Sequence, residues 1–139
     1  MTYLAYWAGR FRASTPEGVE RNIERARIWA MAVNRTGRVQ VVLPHNASTG
    51  IEASLTEEQW VDFTRELSRR CDGMIMDPEY ASSPGSVGEY EQAQRDGLPV
   101  VVAQSLAKIE TSVRELVREI EHVEAMKRAA KVALPKDES

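Results

Sequence analysis

Four short apolar runs divide this chain, and each is followed by a stretch with helical spacing. The runs are Thr2 to Trp7, Val39 to Leu43, Gly73 to Asp77 and Pro99 to Ala103. None alternates apolar with polar residues as a half-exposed strand does; near-continuous β-branched and apolar runs are the mark of strands buried on both faces. Strands of that kind, separated by helices, predict a doubly wound parallel sheet. The expected order across the sheet is 2-1-3-4. Right-handed crossovers then bring the loops after strands one and three to one sheet edge.

The helix signals agree with that pattern. Thr15-Pro16-Glu17 reads as an N-cap followed by proline at the first helical position, opening a helix to about Arg35 that Gly37 closes. Its inward residues are Val19, Ile23, Ala26, Ala30 and Val33. Thr56-Glu57-Glu58-Gln59 is a capping-box pattern for a helix through Arg70, with Trp60, Phe63 and Leu67 as the buried stripe. A third helix is expected from 87 to 96, ended by Gly97. Residues 44 to 55 form a long connection with little periodicity, the kind that often serves as a functional lid. From Leu106 the spacing changes. Leu106, Ile109, Val113, Leu116, Ile120 and Val123 form an a/d seam over about three heptads, which predicts a helix to about Lys131 whose far half meets another subunit. Residues 1–131 therefore read as one domain, and 132–139 as a disordered tail.

Composition narrows the function classes. At 139 residues the chain is long enough to bury a real core. A net charge of -3 and a pI near 5.5 argue against a protein that coats nucleic acid. One cysteine excludes an internal disulfide, and with two histidines leaves too little for a structural zinc site. No metal or cofactor is expected. No run reaches about 18 apolar residues, so no membrane span is expected. The N-terminus reads as a strand and lacks the shape of a signal peptide, which points to a cytoplasmic setting.

The stretch that carries chemistry is Cys71 to Glu89, CDGMIMDPEYASSPGSVGE. A buried strand ends in a polar loop, and the loop runs through Ser83-Pro84-Gly85-Ser86-Val87-Gly88 into a helix near Glu89. Ligand sites of open α/β sheets lie off the C-terminal ends of strands. Glycines allow close backbone approach, and a helix N-terminus offers N–H groups to an anion. Glu89 has two readings. It is a capping-box residue bonding back to Ser86, or it is a carboxylate presented to whatever the loop binds.

The motif Ser83-x-Gly85-x-x-x-Glu89, preceded by Cys71-Asp72, resembles the nucleoside 2-deoxyribosyltransferase-like superfamily, which includes nucleotide N-glycosidases and phage and bacterial relatives. The likeness spans residues 3 to 103. It takes in Tyr3-Leu4-Ala5, Asn22 with Glu24-Arg25-Ala26, Pro44-His45 and Gly97-Leu98-Pro99-Val100-Val101. It implies a flavodoxin- or Rossmann-like three-layer sandwich with a parallel sheet of four to five strands and a long C-terminal helix.

The resemblance also assigns roles. It implies that Glu89 is the nucleophile at the anomeric carbon and that the Tyr3 hydroxyl holds it, against core packing as the other reading of Tyr3. A carboxylate suits an oxocarbenium-like transition state, because it stabilises positive charge at C1′ and then forms a glycosyl ester. Ser83 with the amides around Gly85 and Ser86 would bind a 5′-phosphate or a sugar hydroxyl, or form a plain turn. Gly9, Arg10 and Arg12 lie on the loop after strand one, where the arginines either contact that phosphate or are solvated. Trp7 stacks on a base or fills core. His45 contacts the base or ribose, or holds its loop. Asp72 is structural, and His122 faces solvent or an interface. Two departures stand out. Relatives carry an acid on the second helix where this chain has Thr64, flanked by Asp62 and Glu66 on other faces. They also have Gly-Pro after strand one, where this chain has Tyr6-Trp7-Ala8-Gly9.

The expected function is cleavage of the N-glycosidic bond of a nucleoside or its 5′-monophosphate, by hydrolysis or base transfer. The alternatives are a nucleotide-binding module without turnover, which Thr64 favours, and a flavodoxin-like interaction domain working through its terminal helix. A homodimer or higher homo-oligomer is expected.

Overall fold

The computed structural model describes residues 2–47 and 54–133. Four strands form one parallel sheet: β1 (Tyr3–Ala8), β2 (Val39–Val42), β3 (Gly73–Met76) and β4 (Val100–Val102). Their order is β2-β1-β3-β4, as the sequence pattern predicts, and every pairing is parallel. Among the described residues five helices connect or follow them: α1 (Pro16–Asn34), the single turn α2 (Pro44–Ala47), α3 (Glu57–Arg69), α4 (Pro84–Arg95) and α5 (Ile109–Ala133). The architecture is a Rossmann-like three-layer α/β fold. No helix among the described residues is long and apolar enough to cross a membrane.

The parity of β1 divides the core. Ala5 and Trp7 point to one face and pack with Trp29 and Val33 of α1 and with Val113 and Leu116 of α5. Tyr6 and Ala8 point to the other face, with Met74, Met76 and Ala93 of α4. All four β1 residues are fully buried. That explains why the run reads as continuously apolar, although Tyr6 carries a hydroxyl within it.

The caps form as their residue types dictate. Thr15 Oγ1 accepts the Gly18 amide at 3.1 Å, and Pro16 opens α1. Thr56 and Gln59 complete the capping box of α3. Gly37 takes φ 75° after α1, a left-handed conformation that suits glycine.

Three expectations change. The a/d seam of the last helix is used inside the chain: Ile109, Val113, Leu116 and Ile120 are buried against the sheet. A Cβ on Gly73 would stand 2.8 Å from Leu116 and 3.2 Å from the Pro99 carbonyl, so α5 packs close over the start of β3. Beyond Val123 the helix leaves the sheet, with Met126 60% and Val132 86% exposed. Leu106–Lys108 is a 3-10 turn, and α5 runs on to Ala133, past the expected Lys131. Lastly, α3 buries Thr64 and Ser68, while Trp60, Phe63 and Leu67 are only half-buried. The tail from 134 and the heart of the expected lid, 48–53, lie outside the described residues.

Candidate functional site

A cleft of about 660 Å³ opens at the C-terminal edge of the sheet and runs down between α3 and α4. Sheet, helix and loop each deliver part of it. β1 supplies Tyr6 and the loop residues Gly9 to Arg12. α2 supplies His45, α3 supplies Trp60 and Thr64, and α4 with its N-cap supplies Ser83, Gly85, Ser86 and Glu89.

Glu89 lines this cleft. It accepts a hydrogen bond from the Tyr6 hydroxyl. Burial raises its pKa to about 7 from the usual 4.5, and the Tyr6 bond pulls the other way. The same burial, then the neighbouring Glu89 charge, pushes the Tyr6 phenol well above its ordinary value. Tyr6 therefore stays protonated and donates. This pair answers the two readings of Glu89. α4 begins with Ser83 as N-cap and Pro84 at the first position, so Ser86 rather than Glu89 is the third residue of the helix. Glu89 sits in the second turn, out of reach of any capping box. The signal was the Ser83-Pro84 pair, the same chemistry as Thr15-Pro16 at the head of α1.

Tyr3 is not the partner of Glu89. Its hydroxyl donates to Glu124 of α5 at 3.4 Å. Two facts of strand geometry separate them. Residue 3 has the opposite parity to residue 6 and so points to the α1/α5 face. It also lies roughly 10 Å further from the C-terminal edge, at about 3.3 Å per residue. Trp7 has the same wrong parity. It is fully buried and stacked on Trp29 at 5.3 Å, in the core rather than the cleft.

The remaining candidates do meet at the cleft. Ser83 Oγ accepts the Ser86 amide at 3.4 Å and the Ser86 hydroxyl at 3.1 Å. Pro84 has no N–H, which leaves the Gly85 amide as the open donor of this helix end. Gly85 and Gly88 face open space, where an added Cβ would touch nothing within 4 Å. Arg10 bonds the Ser82 carbonyl and lies 3.3 Å from the Ser82 hydroxyl, which ties the first loop to the third. Arg12 pairs with Glu57. His45 is 1% exposed, and its Nε2 meets the Arg10 carbonyl at 3.0 Å. Burial lowers its pKa, so the imidazole is neutral and donates through Nε2–H. Its observed part is to hold the loop, with an edge turned to Phe11.

Sequence reasoning missed three wall residues. Phe11 and Trp60 stack at 5.2 Å and line the cleft, an aromatic face beside Glu89. Tyr6 was hidden inside an apolar run; its parity and place near the strand's end were the available signal. Thr64 also lines the cleft, buried, its hydroxyl donating to the Val61 carbonyl at 3.1 Å. Asp62 and Glu66 are exposed, and Glu66 pairs with Arg69. Arginines 10, 12, 65 and 95 face the cleft against glutamates 57 and 89. Arg12 is paired with Glu57 and Arg65 lies 3.7 Å from Asp96.

A family model described as "Domain of unknown function (DUF4406)" matches residues 17–102. The chain belongs to this DUF4406 family. The match runs from α1 through β4, so it includes Arg25, Thr64, Ser83 and Glu89. Tyr6, Arg10 and Phe11 of β1 and its loop fall before it, and α5 falls after it. No curated protein and no solved structure matches the chain.

At the other sheet edge, Asp72 Oδ2 accepts the Leu4 amide at 2.8 Å, a structural role at the head of β1. Cys71 is buried, and burial pushes its thiol up to about 11, so it is inert as a nucleophile.

Proposed function

We propose that this DUF4406 member cleaves the N-glycosidic bond of a nucleoside 5′-monophosphate or nucleoside, with Glu89 as nucleophile. The observation that carries the reading is the buried Glu89 carboxyl in the cleft, hydrogen-bonded to the Tyr6 hydroxyl. A Glu89 oxygen attacks C1′, the C1′–N bond breaks with its electron pair leaving on the base, and a glycosyl ester forms. The base takes a proton from solvent. Water, or a second base, then opens the ester and restores the carboxylate. The Tyr6 hydroxyl orients the attacking group and offsets part of the cost of its charge. The Phe11–Trp60 wall offers a planar base an apolar face. The arginines and the open Gly85 amide favour a phosphorylated sugar.

Of these groups, Glu89, Arg10, Arg12 and the Ser83–Ser86 segment are those that the nucleoside 2-deoxyribosyltransferase resemblance implies; Tyr6 stands in place of Tyr3, and the Phe11–Trp60 wall in place of Trp7. Thr64 in place of an acid favours a second reading, a nucleotide-binding module without turnover. One experiment separates the two. The protein is incubated with a panel of nucleosides and 5′-monophosphates, and released base is measured beside binding. Release that disappears in Glu89→Gln supports cleavage. Binding with no release from any member of the panel supports the module.

A further inference from the structure

The ion pair of Arg25 and Asp77 belongs to no step of that mechanism, yet it is the best-made polar contact at the sheet edge. Arg25 Nε donates to Asp77 Oδ2 at 2.8 Å and its Nη2 to Oδ1 at 2.9 Å, a two-pronged geometry that fixes both partners. Asp77 Oδ1 accepts a third bond, from the Glu79 amide at 2.8 Å. The Asp77 side chain is only 6% exposed. Its neighbour Glu79 stands 3.7 Å from Arg25 but is 75% exposed, so it adds little.

The placement is unusual. Arg25 is on α1, which packs on the Trp7 face of the sheet, whereas Glu89 is on α4, on the Tyr6 face. The guanidinium reaches Asp77, the residue that follows β3. A Cβ on Gly9 would stand 3.4 Å from the Asp77 Cβ and 2.8 Å from the Trp7 indole nitrogen, so a bare backbone lets the two strand ends close together. From Asp77 the chain turns at once: the Tyr80 amide bonds the Asp77 carbonyl at 3.0 Å, and the 3-10 turn Tyr80–Ser82 leads into Ser83. Fixing Asp77 therefore fixes the start of the segment that sets α4, and with it Glu89.

We propose that Arg25 is a positioning residue that holds, through Asp77 and from the far face of the sheet, the loop and helix that present Glu89 to the cleft. The kinetic consequence rests on the glycosidase reading; the structural consequence does not. Arg25→Gln and Asp77→Asn remove the ionic bond while keeping size and some hydrogen bonding, and Arg25→Lys keeps charge without the fork. For whichever monophosphate the wild type cleaves, kcat is expected to fall at least tenfold in Arg25→Gln, with KM within about threefold and partial recovery in Arg25→Lys. The second readout is the titration of the Glu89 carboxyl by carbon-13 NMR. Its midpoint should drop from near 7 towards the ordinary range in Arg25→Gln, as the loop loosens and water reaches the group. If Arg25→Gln does not fold, Asp77→Asn carries both measurements. Folded variants with wild-type kcat and a Glu89 midpoint still near 7 would overturn the proposal. If the wild type cleaves nothing, the glycosidase reading fails, and the NMR midpoint alone supports or overturns this one.

Discussion

Glu89→Gln should make the protein more stable in alkaline solution than the wild type. Burial holds the Glu89 pKa at about 7, against the usual 4.5. Between those values the folded protein keeps a proton that the unfolded chain releases. Stability therefore falls as pH rises through that window, and the loss is complete above 7. Each tenfold change in proton affinity is about 1.4 kcal/mol, so the displacement amounts to roughly 3 kcal/mol. Glutamine is neutral at every pH, similar in shape, and its amide oxygen still accepts from Tyr6. The variant should match the wild type near pH 4.5 and exceed it by roughly 3 kcal/mol at pH 8. For a chain of this size that is a rise in Tm of about 10 °C. Urea and thermal unfolding, followed by circular dichroism at several pH values, measure both. Other titrating groups are common to the two proteins and cancel in the difference. A gap that stays flat from pH 4.5 to 8 would refute the reasoning, because it would mean that Glu89 ionises without cost.

Three further outcomes follow from particular contacts. Tyr6→Phe removes the one bond that lowers the Glu89 pKa, so the acidic limb of a pH–rate profile should move upward; Tyr3→Phe should leave that profile unchanged, since Tyr3 bonds Glu124. Gly73→Ala forces a methyl to 2.8 Å from Leu116; denaturant titration should show a loss of about 1–3 kcal/mol from overpacking. Self-association belongs with the proposed function: light scattering at micromolar concentration should give at least a dimer, and Met126→Lys with Val132→Lys should give a monomer. A wild type that is monomeric throughout excludes the exposed end of α5 as an interface.

Much of the fold was legible because its strands are buried on both faces. Val39 to Val42 and Gly73 to Met76 read as strands with no partner in view, and the Thr15-Pro16 and Thr56-Gln59 caps placed two helices. The misreadings have physical causes. An a/d seam looks the same whether a second helix or the face of a sheet covers it, so Ile109 to Ile120 suggested a partner that the chain itself provides. The glycines of Pro84–Gly88 suggested a loop, although Ser83-Pro84 carried the same start signal as α1. Tyr3 and Tyr6 differ by parity and by depth along one strand, and both had to be counted to choose between them. Arg25 and Asp77 could not be joined from sequence, because a charged pair 52 positions apart leaves no periodic trace.

The central claim is that a Glu89 oxygen bonds to the sugar. Wild-type protein mixed with a substrate found in the base-release panel can be quenched in acid within milliseconds, digested, and read by mass spectrometry. The account predicts one added sugar or sugar phosphate on the peptide that contains Glu89, formed as base appears and absent from Glu89→Gln. An adduct on another side chain, or base release by Glu89→Gln near the wild-type rate, would contradict it.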